Sequence, residues 1–96
     1  MATDTRPFDP ARYLNGAEGV EEYLRGAFED GDPVEIADAL GVVARSRGMT
    51  ALARDTGLTR QTLYQALSDK GSPEFATVLK VAHALGFRLM PERIRA

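Results

Sequence analysis

Between Gly57 and Ser68 the chain reads GLTRQTLYQALS, and this stretch gathers long polar side chains on the opening turns of one short helix. Arg60, Gln61, Tyr64 and Gln65 are residue types that read base edges: arginine holds guanine through two acceptors, and glutamine pairs in the same two-point way with adenine. Thr59 and Thr62 are suited to phosphate oxygens, together with the helix's free N–H groups and Arg54 before the turn. Lys70 and Lys80 extend the same backbone contacts. Catalytic chemistry finds no comparable footing. The sequence contains no nucleophile spaced with a base, no glycine-rich phosphate loop, no cysteine and a single histidine, His83, on a mostly apolar helix. The chain is therefore expected not to be an enzyme and to need no cofactor. Asp30, Asp32, Glu35 and Asp38 lack calcium-loop spacing, and Asp32 already has a helix-capping task, so no metal site is expected.

A row of base-reading side chains needs a helix held at a fixed angle, and the spacing around Gly57 meets that demand. Ala53 lies four residues before the glycine, Leu58 one after and Leu63 six after, with Thr59 as cap of the second helix. Small and apolar residues at these places let two short helices cross closely about a tight turn, the arrangement of a helix-turn-helix. The plain alternative is a helical corner whose polar residues are only solvated, with Tyr64 packed and Arg54 paired to Asp55.

The surrounding pattern is helical throughout. Ala17 to Glu29 places Val20, Tyr23, Leu24, Ala27 and Phe28 on one stripe. Gly31, Asp32 and Pro33 then supply a helix end, an N-cap and a first helical position. Val34 to about Arg47 carries Ile36, Leu40, Val43 and Ala44, and Gly48 ends it. Thr50 is expected to cap a short helix through Thr56, Thr59 one that runs to about Asp69, and Ser72 with Pro73 one whose Phe75, Val78, Leu79, Ala82 and Leu85 face the core. Gly86 closes that helix. The alternation Phe87, Arg88, Leu89, Met90 suits a short edge strand stopped by Pro91, paired with a partner chain or laid on the helices.

A chain of 96 residues with 44% hydrophobic and 27% charged residues fits one small globular domain. The net charge of −2 conceals an uneven layout. Residues 1 to 33 hold eight acids against three bases, a net −5, and the remainder nine bases against six acids, a net +3. Opposite fields on two parts suggest different partners. The opening MATDTRPFDP has neither the basic start nor the apolar core of a secretory signal, and no apolar run is long enough to span a membrane, so a cytoplasmic protein without membrane contact is expected.

The pieces FDPARYL, YLRGAFEDGDP, IADALGVVARSRGMT, GLTRQTLYQALS and SPEFATVLKVAHALGFRL together resemble the HigA-like addiction module antidotes, antitoxins of the Cro/C1-type helix-turn-helix superfamily, from Phe8 to about Leu89. The resemblance implies an all-α fold of five or six short helices, with a possible short C-terminal strand. It further implies an antitoxin that neutralises a RelE/ParE-superfamily (HigB-like) toxin and represses its own operon, as a homodimer on double-stranded operator DNA. Thr59, Arg60, Gln61, Thr62, Tyr64 and Gln65 fall on the recognition helix. Relatives in the wider superfamily often place glutamine at the start of the preceding helix, where this chain reads MTALA, so a phosphate contact common elsewhere is either missing here or supplied by Thr50. Toxins of this class are basic because they engage RNA. On that ground the toxin-contacting part is expected in residues 1–32, with Phe8, Tyr13 and Leu14 as apolar anchors and Glu18, Glu21, Glu22 and Asp30 as charges, and the DNA-binding part in residues 33–96. No small-molecule substrate is expected, and the competing reading is a stand-alone Cro/C1-type repressor without a toxin.

Overall fold

Three punctuation marks in the sequence decide where the helices break. Gly31 takes φ 75 and its N–H returns to the carbonyl of Ala27, closing the first helix. Asp32 then accepts the Val34 N–H through its carboxylate at 2.9 Å, with Pro33 in the first helical position. Gly57, at φ 77, makes the corresponding turn further on. The computed structural model describes residues 16–68, 70 and 72–95, which form five helices: α1 (Ala17–Asp30), α2 (Pro33–Arg47), α3 (Met49–Thr56), α4 (Arg60–Ala66) and α5 (Phe75–Ala84). The fold is all-α, as the sequence implies.

Helix α2 is the strut. Ala37, Ala39, Leu40, Gly41, Val43 and Ala44 are all buried, a wider face than the four-residue stripe the sequence suggests. It touches α1, α3 and α5, and α3 in turn touches α4 and α5. Leu40, Leu63, Leu67, Val43 and Val81 are shielded completely from solvent. Each such leucine contributes about 1.5–3 kcal/mol by leaving water. From α1, Val20 and Leu24 join this core, and Tyr23 and Ala27 pack against it, so the stripe of the first helix covers its own domain.

Several expected boundaries move. Gly48 alone separates α2 from α3: its N–H bonds to the Ala44 carbonyl at 2.9 Å and its carbonyl accepts from Leu52 at 3.1 Å. Both helices therefore share one residue, and Thr50 lies inside α3 instead of capping it. Helix α4 stops at Ala66, earlier than expected. There Leu67 leaves helical geometry, while the Ser68 hydroxyl donates to the Gln65 carbonyl at 3.2 Å and accepts the Lys70 N–H at 3.3 Å. Such local bonding competes with helical continuation.

Helix α5 begins at Phe75 with Glu74 as N-cap, not at Ser72 and Pro73. Phe75 is 71% exposed and Leu79 40%, against the expectation that both face the core. Helical side chains lean toward the N-terminus, so Phe75 in the first turn projects past the packed body of the bundle. Leu79 sits about 100° around the helix from Val78, at the margin of the stripe formed by Val78, Val81, Ala82 and Leu85. Gly86, at φ 96, completes the end of α5: its N–H bonds to His83 and the Phe87 N–H to Ala82, a Schellman arrangement. Residues 87–90 form no strand, and no strand occurs among the described residues.

At Gly41 a Cβ would collide with the backbone carbonyl oxygen of Leu67. Gly41→Ala should accordingly lose about 1–3 kcal/mol in urea unfolding, because neither backbone can yield without repacking. Gly26→Ala in α1, where an added Cβ meets nothing within 4 Å, should gain up to about 1 kcal/mol from helix propensity.

Candidate functional site

The turn between α3 and α4 is tied from within. Thr56 donates its hydroxyl to the Leu52 carbonyl at 2.8 Å and accepts the Leu58 N–H at 3.2 Å, while the Gly57 N–H reaches Ala53 at 2.9 Å. Leu58 packs against the core. Thr59 then caps α4, its hydroxyl oxygen accepting the Thr62 N–H at 3.0 Å. With Leu63 fully buried, helical geometry turns Arg60, Gln61, Thr62, Tyr64 and Gln65 outward, and all five are exposed. The base-reading candidates thus share one solvent-facing surface.

Two contacts order this surface. The Arg60 guanidinium lies 5.8 Å from the centroid of the Tyr64 ring, one turn away, which restrains the arginine while its N–H edge stays open to a bidentate acceptor. The Thr59 hydroxyl also donates to Thr62 Oγ1 at 2.8 Å, so Thr59 is engaged in the cap and Thr62 keeps its own hydrogen for an outside acceptor. Tyr64 is 43% exposed and is not a core residue. Arg54, on α3, is exposed and pairs loosely with Asp55 at 3.4 Å, a contact too solvated to hold it back from a stronger anion. Lys70, Lys80 and His83 are exposed as well.

A different surface lies between α1 and α2. Glu18, Glu21 and Glu22 are exposed on α1, with Glu21 bound to Arg25 at 2.9 Å across one helical turn. A groove of about 680 Å³ beside them is lined by the carboxylates of Glu22, Glu29, Asp30, Glu35 and Asp38. Val34, 46% exposed, supplies an apolar contact there. Sequence reasoning placed Glu22 and Asp30 among partner-facing charges but missed Glu29, Val34, Glu35 and Asp38. The missed signal is the antiparallel return of the chain at Gly31 and Asp32, which sets the acidic first turns of α2 beside the last turns of α1. Phe8, Tyr13 and Leu14, the apolar anchors expected from the sequence, lie outside the described residues.

Tyr23 borders the same groove. Burial pushes its hydroxyl above the ordinary value of 10.0, the negative charge of Asp38 pushes it further, and Arg45 pulls it partly back. No three His, Cys, Asp or Glu residues among the described ones are placed to hold a metal ion.

Comparison with known proteins agrees with the antidote resemblance. Residues 4–92 match the family model for probable addiction module antidote proteins. An uncharacterised protein of Haemophilus influenzae (strain ATCC 51907 / DSM 11121 / KW20 / Rd) is 39% identical over 95 residues, spanning 99% of this chain and 98% of the relative. No solved structure matches. This chain belongs to the family of probable addiction module antidotes, and membership implies a cognate toxin as partner. Among the described residues no helix is long and apolar enough to cross a membrane.

Two outcomes are expected. Thr59→Ala should cost about 1 kcal/mol in urea unfolding through loss of the α4 cap, with Thr59→Ser retaining most of it. The raised Tyr23 hydroxyl means that the folded state holds a proton which the unfolded chain releases first. Its stabilising contribution is complete below about pH 10 and is lost as pH rises through the folded value, so the alkaline fall in stability should be shallower in Tyr23→Phe.

Proposed function

We propose that this protein is a HigA-like antitoxin that neutralises a RelE/ParE-superfamily toxin by direct binding and represses its own operon as a cytoplasmic homodimer. In this reading α3 and α4 are the two helices of a Cro/C1-type helix-turn-helix. Arg60, Gln61 and Gln65 read bases, Tyr64 braces Arg60, and Thr59, Thr62, Arg54 and Lys70 position the helix on phosphates. The single observation that supports DNA reading is the exposed row of Arg60, Gln61, Tyr64 and Gln65 on a helix whose opposite side is anchored by the buried Leu63. A solvated corner needs neither the restrained arginine nor two glutamines beside it.

The toxin half of the proposal rests on family membership and on charge. A basic, RNA-engaging toxin is attracted to Glu18, Glu21 and Glu22 and to the groove between α1 and α2, which five acidic residues line together with Val34. Neutralisation then consists of covering the toxin's cationic surface. No step calls for catalysis or a cofactor.

Co-expression with the product of the adjacent gene, followed by size-exclusion chromatography and a gel shift on the shared promoter, tests both halves. The expected result is a stable complex that shifts the promoter. Arg60→Ala should weaken operator binding by about 1–3 kcal/mol, roughly 5- to 150-fold, and relax base preference while leaving the toxin complex intact. A promoter shift with no bound partner would support the stand-alone repressor instead, and equal loss of both activities in a folded Arg60→Ala variant would overturn the separation of sites.

A further inference from the structure

Within the polar row of α4, geometry sets one pair apart. Helical side chains lean toward the N-terminus, so Tyr64 reaches back over Arg60, and the guanidinium carbon lies 5.8 Å from the ring centroid. Among the described residues no carboxylate stands within ion-pair distance of Arg60, so the ring is the group that orients it. Leu63 anchors the helix while Tyr64 is exposed, so the core does not require a ring at this place. A guanidinium is planar, with two faces and a forked hydrogen-bonding edge. With Tyr64 over one face, the edge and the other face are left for a partner.

We infer that Arg60 and Tyr64 together read a thymine–guanine step: the Arg60 edge holds the guanine, and its free face covers the methyl of the thymine on the guanine's 5′ side. The inference rests on the DNA-reading part of the proposed function and names the dinucleotide that this part takes. Guanine offers O6 and N7 as paired major-groove acceptors, and contact with both brings the guanidinium into the plane of that base. Its two faces then look along the stack. Right-handed twist carries the major-groove edge of the 5′ neighbour over one face, and Tyr64 occupies the other.

The chemistry of the free face selects the neighbour. Of the groups that the four bases present in the major groove, the thymine methyl alone is apolar. Adenine and cytosine place an amino group there, whose hydrogens a cation repels, and a second guanine places acceptors that compete for the same N–H groups. A methyl between the base and the guanidinium extends the stack that Tyr64 begins, so the cation is covered on both faces and its edge is fixed on guanine. Thymine–guanine is also a pyrimidine–purine step, which unstacks readily and so admits a planar group at its edge. Gln61 and Gln65, one turn apart on the adjacent row of α4, are left to other bases.

Selection of duplexes from a random-sequence pool by the full chain, at one fixed salt concentration, tests this. The recovered sites should carry the thymine–guanine step. Exchange of its thymine for deoxyuridine, which removes the methyl alone, should weaken binding about fourfold for each thymine replaced. Cytosine at that place should weaken it at least as much, and 5-methylcytosine should bind more tightly than cytosine. Tyr64→Phe keeps the ring and should keep the difference between thymine and deoxyuridine, whereas Tyr64→Ala should abolish it. Recovered sites without the step, equal binding of the thymine and deoxyuridine duplexes, or a Tyr64→Ala variant that keeps the difference would each overturn the inference and leave DNA reading standing. Recovery of no duplex at all would overturn the DNA reading itself.

Discussion

The close approach of α2 to the end of α4 governs the rest of the molecule. At Gly41 the backbone of α2 comes so near the Leu67 carbonyl that no side chain fits between them. Leu63 and Leu67, both fully buried, hold α4 from the same side. A helix of seven residues is unstable alone, because nucleation fixes several dihedral angles for very few hydrogen bonds. Its existence therefore depends on these two leucines and on the cap at Thr59. Since Leu63 fixes the rotation of α4 and Gly41 its distance, the direction taken by Arg60, Gln61, Tyr64 and Gln65 follows from the core.

This dependence explains which features the sequence disclosed. Signals that act within a few residues were legible: Gly31, Asp32 and Pro33 at the first break, Gly57 and Thr59 at the turn, and Gly86 after α5 all act as their chemistry requires. The outward set on α4 was legible too, because Leu63 within the helix and Leu67 just after it are the large apolar residues that mark its inner side. Thr50 and Ser72 failed as caps for a common reason. Each is a good capping type, but a cap is defined by where the preceding element ends, and Gly48 and Glu74 had already taken those places. Phe75 and Leu79 show the complementary limit: periodicity identifies a stripe, while the extent of the partner surface decides which members of it are covered.

Gly41 was not legible at all. A glycine within a helix reads locally as a small loss of propensity, and only the position of a carbonyl 26 residues away shows that any larger residue is excluded. The acidic groove belongs to the same kind. Its carboxylates are spread over two helices, and only the antiparallel return at Gly31 places Glu35 and Asp38 across from Glu22 and Glu29.

The small net charge of −2 is a poor guide to what such a surface attracts. At physiological salt, charges are screened within about 8 Å, so a partner responds to the local set of groups and not to the sum over the chain. The acids of α1 and the first turns of α2 act on whatever approaches that groove, and the polar row on α4 acts on its own neighbour. Helix α2 links the two surfaces structurally by packing on α1 and by abutting the Leu67 carbonyl at the end of α4. In this structure the close-packed α2 therefore sets the position of both surfaces from one core.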